Sequence, residues 1–521
     1  MLLLILDTAA LACALLCLKS WLPLLWSRNK RDRLVYPPGP KGLPLLMSIF
    51  STVPDVGEWE KARRWGQQYG DLVFVTYLGK SYLFVNSYDV AIELFEKRGH
   101  NYSSRPHNTL IELEAWDSIT TFMRGNELRK SRQFLHRFLG RSAVSDFSTM
   151  QTRAIHQLLL RMLREPDEFR NLIRRSAGEA IMMVAYGYQI VSEGADPFVE
   201  LGDRGGRVLS DAEGFSIVNL MPWLRYLPKW FPGTDFHRLI KEGYEVSQAI
   251  MNKPFKMMQQ RIHNGSAIPS IMSKLIEANS TEDGSIVDEA IIAKSCGTAY
   301  IGGADTTVSI LNTFILAMVL HPDAQHRGHE ELDRVIGKNN LPTMEDKPNL
   351  PYINAICNET LRWQPILPMG VPHCATEDDV YNGYFIPAGT AVIGNIWAMQ
   401  RDPKVYLEPD KFIPERWLPP DGQSPPLDVH KTAFGFGRRV CSGRFLADNS
   451  IFLSIASILA AFRIEKALDV NGVPITPPVE YVESFLRTTA HTRRHPKPFK
   501  CRITPRSDKI EAMIHQAVES A

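Results

Sequence analysis

The 521-residue chain has almost no charge of either sign in excess: 59 lysines and arginines stand against 57 acids, a formal net charge of +2. That balance argues against a nucleic-acid-binding protein, which needs basic residues concentrated on one face. Cysteine is scarce. The seven residues Cys13, Cys17, Cys296, Cys357, Cys374, Cys441 and Cys501 are scattered, with no disulfide framework and no CxxC knuckle for a metal. They fit a reducing compartment, in which one cysteine can have a chemical role of its own. Internal repeats and low-complexity tracts are absent, and no GxGxxG follows a strand, so no built-in flavin or nicotinamide site is expected.

Apolar residues make up 44% of the chain, enough for a large core. Residues 2–26 are mostly apolar, interrupted by Asp7 and Lys19. A run of that length crosses a hydrocarbon layer of about 30 Å. Arg28, Lys30, Arg31 and Arg33 follow it, which places the rest of the chain on the cytoplasmic side of a membrane. A cleaved signal peptide would carry its charges before the apolar run, not after it. Pro37-Pro38-Gly39-Pro40 then interrupts any helix. The expected organisation is an N-terminal transmembrane anchor over 1–27, a basic and Pro-rich hinge over 28–45, one large domain over 46–503 and a polar C-terminal tail over 504–521.

The large domain reads as mainly α with a minor β portion. Apolar β-formers at Leu72–Leu78 and Ser81–Val85 flank Gly79-Lys80 as a hairpin. Helical patterns cover Val90–Lys97, Glu127–Phe138, Arg153–Arg164, Phe169–Tyr186 and Pro351–Trp363, and Glu289–Leu320 is apolar enough to be a long buried helix. Proline and glycine punctuate residues 365–426, so turns and short strands are expected there. The segment 220–233 sets Trp223, Tyr226, Trp230 and Phe231 among prolines and basic residues. It suits either a membrane interface or a buried loop over the core.

The most specific stretch is Phe434-Gly-Phe-Gly-Arg-Arg-Val-Cys-Ser-Gly443, followed by a helical run from Arg444. A cysteine at a loop-to-helix junction meets backbone N–H groups and the positive end of the helix dipole, both of which favour the thiolate. Gly437 supplies a tight turn, Gly443 lets the helix approach a flat cofactor, and Arg439 can pair with an anionic group on it. A buried structural cysteine is the plain alternative. It leaves the set offsets of Phe434, Gly437, Arg439 and Gly443 unexplained.

This segment resembles the cysteine-ligand loop of the haem-thiolate monooxygenases, the cytochrome P-450 family, and four further motifs match in order along nearly the whole chain. The resemblance implies a single large domain of that family's fold, holding haem b through an axial Cys441 thiolate. Within the long apolar helix, Gly302-Gly-Ala-Asp-Thr-Thr307 matches the family's acid–alcohol pair, with Asp305 and Thr306 relaying protons to bound O2. Two interior glycines cost about 1 kcal/mol each relative to alanine, so the helix gives up stability for open space. Glu359-Thr-Leu-Arg362, with Arg416 of Phe412-Ile-Pro-Glu-Arg-Trp417, matches a buried structural cluster behind the cysteine loop. Arg132 and His373 match the family's other haem-propionate cations. This chain has Leu128 where the family usually has a tryptophan that bonds the same propionate.

The implied activity is oxygen insertion into a lipophilic small molecule, with O2 as co-substrate and electrons from a separate NADPH-dependent cytochrome reductase. A membrane-lipid contact and the cytoplasmic face of the endoplasmic reticulum follow from the anchor; no nucleic-acid partner is expected. The pocket should draw on residues 111–122, 219–223, 299–304, 366–371 and 484–486. The overall pattern is most similar to fungal enzymes of secondary metabolism, with a terpenoid as the favoured substrate. Two alternatives stay open: a haem-dependent isomerase or dehydratase that needs no external reductant, and a membrane haem protein without turnover.

Overall fold

A computed structural model describes residues 35–40, 57–77, 79–191, 194–213, 217–231, 233–420, 422–482 and 494–519. The anchor expected over residues 1–27 lies outside them. The main helices are α1 (Glu58–Tyr69), α2 (Thr109–Leu113), α3 (Gly125–Leu139), α4 (Ser148–Arg164), α5 (Phe169–Tyr186), α6 (Pro197–Glu213), α7 (Phe236–His263), α8 (Glu289–Leu320), α9 (Pro322–Val335), α10 (Pro351–Trp363), α11 (Arg444–Ala461) and α12 (Asp508–Glu519). The patterns at α5, α8 and α10 gave the observed bounds. Helix α7 carries Pro254 in its interior, which breaks the sequence pattern without ending the helix.

Helix α8 is the axle of the fold. It packs along α5 and also touches α3, α6, α7 and α11. One apolar cluster gathers α4, α5, α10 and α11 against its C-terminal half, and a second gathers α6 and α7 against its N-terminal half. Such a helix is apolar on all sides because it is covered on all sides. By length and composition α8 and α11 are each able to cross a membrane, yet most of each is buried within the fold.

The β portion is small. Strands β1 (Leu72–Tyr77), β2 (Lys80–Val85), β3 (His373–Cys374) and β4 (Ala391–Gly394) form a sheet in the order β1-β2-β4-β3. The hairpin register pairs Tyr77 with Lys80, so the turn falls one residue earlier than Gly79-Lys80. The Pro-rich segment runs along this sheet, where the Pro38 carbonyl accepts from Phe74 N–H at 2.9 Å and Tyr36 packs on Phe74 and Phe385. At the C-terminus, the residues expected to form a polar tail instead build α12, which lies on α4 with Ile510 and Ile514 buried. Spaced four apart, these two residues share one helix face, and burying them joins the segment to the core.

Candidate active site

A cavity of about 350 Å³ lies between the N-terminal end of α11 and the middle of α8. Its floor is the loop 434–443, whose shape is set by glycine. Gly437 has φ +53°, and a Cβ there would overlap the Phe95 carbonyl, so no other residue fits this turn without moving the backbone. Phe436 packs on Phe95 with ring centroids 5.4 Å apart. The Cys441 N–H donates to the Phe434 carbonyl at 2.8 Å, closing the loop. The Cys441 thiol thereby faces the cavity, and the surface it exposes belongs to that cavity. Burial pushes the thiol pKa up. The Gly443 N–H, Arg132 and Arg444 pull it down, and burial prevails. A thiolate here therefore calls for a further positive partner, which a metal ion supplies. Gly443 caps α11, and a Cβ on it would come no closer than 4.0 Å to any protein atom, that atom being the Cys441 sulfur.

The opposite wall is α8. The two glycines of its motif have different tasks. A Cβ on Gly302 meets nothing within 4 Å, so this position opens the wall, whereas one on Gly303 would press on Ile181 of α5. Thr306 lines the cavity, and its hydroxyl donates to the Gly302 carbonyl at 2.7 Å. Asp305 does not line it. Its carboxylate lies 3.1 Å from His495 Nε2, on the strand His495–Pro496. Successive residues of a helix point about 100° apart, so the acid and the alcohol of the motif face different neighbours.

Arginines gather along one rim. Arg439 donates to the carbonyls of Ser103 at 2.7 Å and Met123 at 2.8 Å, and Arg132 donates twice to the Val440 carbonyl at 3.1 Å. Neither forms an ion pair among the described residues. Burial holds Arg439 down at about 10, with Arg132 and Arg124 lowering it further. His373 is buried, its Nδ1 2.6 Å from the Tyr102 carbonyl, and burial with Arg105 and Arg439 holds its pKa well below the usual value. With Nδ1–H committed to that carbonyl, His373 donates from Nε2 only as imidazolium, a form that an anion beside it would favour. Arg105, which the sequence reading passed over, also borders the cavity and donates to the Thr121, Val371 and Pro372 carbonyls. Leu128 is not part of the wall.

These features fit a haem. The cavity has a sulfur ligand on one face, open space against a helix on the other, and a rim of cations where acidic substituents would sit. Cys441 would hold the iron, and Arg132, Arg439, His373 and Arg105 would hold the propionates.

Behind the loop lies the charge cluster predicted from Glu359. Arg362 Nε and Nη2 each donate to the Glu359 carboxylate at 2.8 Å, and Arg416 Nε adds a bond at 3.1 Å. Ile413 N–H and Trp417 Nε1–H complete its shell at 2.8 and 3.1 Å. The remaining Arg362 donors reach the Gln400, Pro409 and Lys411 carbonyls. Glu359 and Arg362 are wholly buried and fully bonded.

Of the expected pocket segments, 299–304 and 366–371 contribute to the wall, and Ile119–Thr121 represent 111–122. From segment 219–223, Asn219, Met221, Pro222 and Trp223 do not line it: Asn219 instead accepts from the Leu110 N–H through its side chain and from Lys80 through its carbonyl. Residues 484–486 lie outside the described residues. The aromatic segment is exposed, with Tyr226 at 74% and Trp230 at 81%, so these rings do not form a buried cover.

Residues 37–489 match the family model described as "Cytochrome P450". Among curated proteins the chain is 39% identical to cytochrome P450 monooxygenase 208 of Postia placenta, over 98% of this chain and 97% of that one. It is 38% identical to cytochrome P450 monooxygenase claR of Ampulloclitocybe clavipes, over 92% and 88%. It is also 35% identical to cytochrome P450 monooxygenase ppsD of Aspergillus oryzae, over 96% and 94%.

Proposed function

The chain belongs to the cytochrome P450 family and is a haem-thiolate monooxygenase, and from that premise we propose that Cys441 is its iron ligand and that its substrate is a neutral, lipophilic secondary metabolite, with a terpenoid favoured. The observation that carries the ligand assignment is the meeting of the Cys441 thiol, the open Gly302 face and the Arg132 and Arg439 guanidiniums around one cavity. When bound, the haem supplies activation of O2, one atom of which goes to substrate and the other to water.

The protein's own residues do the rest. Arg132, Arg439 and His373 neutralise the acidic edge of the cofactor and fix its rotation about the cysteine bond. Thr306, held by the Gly302 carbonyl, presents a hydroxyl to the cavity and hands on a proton, and the Asp305–His495 pair stands one helix position back as its reservoir. On the substrate side the wall residues Ile119, Leu209, Ala299, Ile301, Ile366 and Val371 are aliphatic. They exclude water and offer no counter-ion, which favours a neutral apolar guest.

Electrons come from a separate NADPH-dependent reductase. The apolar run of residues 2–26 anchors the chain in the endoplasmic reticulum membrane, and the exposed Tyr226, Trp230 and Phe231 rest against the same lipid surface. The test is co-expression with a cytochrome reductase and product analysis over a panel of terpene skeletons. NADPH-dependent oxygenation of at least one skeleton is expected. Product formed equally well without reductase would instead favour an isomerase or dehydratase.

A further inference from the structure

Glu114 lies just after α2 and is only 2% exposed, with no role in the site described above. Ala115 follows it with φ +59°, a left-handed conformation that a non-glycine residue rarely adopts. That kink turns Glu114 and Trp116 into the same seam, where Trp116 Nε1–H donates to Glu114 Oε2 at 3.1 Å. Helix α7 closes the seam. A Cβ on its Gly243 would overlap the Glu114 carboxyl, and the Ser247 hydroxyl donates to the Glu114 carbonyl.

The charged groups facing Glu114 are acids on both helices packed against it: Asp211 on α6 and Glu242 on α7, the latter paired with Arg204 at 3.0 Å. Helix 217–220, the third neighbour, carries no charge. Among the described residues no cation pairs with Glu114. A carboxylate in that setting is costly, and the neutral acid is the form the seam accepts.

The segment that Glu114 fastens is functionally placed. Ile119, Thr120 and Thr121, a few residues on, wall the haem cavity. Ile111, Glu112, Asp117 and Phe122 of the same stretch line a second cavity of about 220 Å³, which shares Arg105 and Val371 with the first.

We propose that Glu114 is a positioning residue whose uncharged carboxyl latches the cavity wall 109–121 to α7, so that ionising it frees this wall and opens the passage between the two cavities. Burial, with Asp211 and Glu242, raises the carboxyl to about 8 from an ordinary value of 4.5. In the open state the group returns toward its ordinary value. The latched state therefore holds the extra proton. Its advantage is full below the ordinary value, falls about tenfold per pH unit above it and is gone beyond about 8.

The test is hydrogen exchange by mass spectrometry on the full-length, haem-loaded protein from about pH 6 to 9, corrected for the intrinsic pH dependence of exchange. Peptides covering 109–121 and 236–250 should lose protection about tenfold per pH unit up to about pH 8 and then level off. Peptides of α9 should not change. Glu114→Gln, which keeps the shape and the neutral state, should hold the wall at its low-pH protection throughout. Glu242→Gln, on α7, should shift the levelling-off to lower pH by removing a repelling charge, and it covers the case in which Glu114→Gln does not fold. A wild-type profile without slope overturns the latch. So does an equal slope in Glu114→Gln, or an unmoved levelling-off in Glu242→Gln.

Discussion

Arg362 and Arg416 surround one carboxylate, whereas Arg132 and Arg439 surround none. Both pairs are largely buried and both use spare donors on main-chain carbonyls. They differ in what completes them. In the first cluster every oxygen of Glu359 is bonded, and one carboxylate answers two arginines supplied from α10 and the turn at Pro414–Trp417. In the second, burial and then the neighbouring Arg132 and Arg124 lower the proton affinity of Arg439, and no carboxylate among the described residues pairs with Arg132 or Arg439. Folding alone satisfies the first cluster, while the second is built for a group that arrives from outside.

Removing one charge from each cluster should therefore have different consequences. Glu359→Ala strips the anion from two buried arginines and should cost about 3–5 kcal/mol. Little haem-loaded protein should be recovered, and wild-type haem content in that variant would break the comparison. Arg132→Leu removes a cation that has no anion. Thermal stability of the apoprotein should stay within about 1 kcal/mol, while haem passes to an acceptor protein about 10–100 times faster, as expected for a lost charge-assisted bond. Equal losses of fold and haem would show that the rim, too, is structural.

A third region sharpens the contrast beside the cysteine loop. His430 lies between Asp428 at 2.9 Å and Asp448 at 3.1 Å and stacks on Phe434. Burial works against its charge, but the two carboxylates win and raise it to about 9. A raised value means that the stabilisation is full below the ordinary histidine pKa and is lost as pH climbs through about 9. With the imidazole partly exposed, we expect a loss of about 1–2 kcal/mol across that window, absent in His430→Gln. Melting temperatures measured across the window check this. Thr306→Ala should cost the fold only about 0.5–1.5 kcal/mol, for one hydrogen bond. Its mark should be functional: more peroxide released per NADPH consumed, at the expense of product. Unchanged coupling would remove Thr306 from the proton path.

Much of this was legible from spacing. The cysteine loop, the glycine pair in α8 and the Glu359 cluster are short-range patterns whose chemistry depends on fixed offsets. What escaped depends on contacts between distant segments. Arg105 stands in a loop with no pattern around it and gains meaning only where Val371 and Pro372 cross it. Asp305 is adjacent to Thr306 in sequence, yet helix geometry turns it to His495. Residues 508–519 are half polar and half apolar, and the two isoleucines that dock them show only when α4 is beside them. Segment 219–223 was assigned to the pocket by resemblance, and Asn219 is bonded instead to Leu110 and Lys80.

The central claim is that Cys441 ligates the iron, and the carbon monoxide difference spectrum of the reduced, full-length protein tests it most directly. Only a thiolate-ligated ferrous haem gives the strongly red-shifted band. The wild type should show that band, and Cys441→Ala should lack it even where haem is retained. A red-shifted band that survives in Cys441→Ala would contradict the assignment.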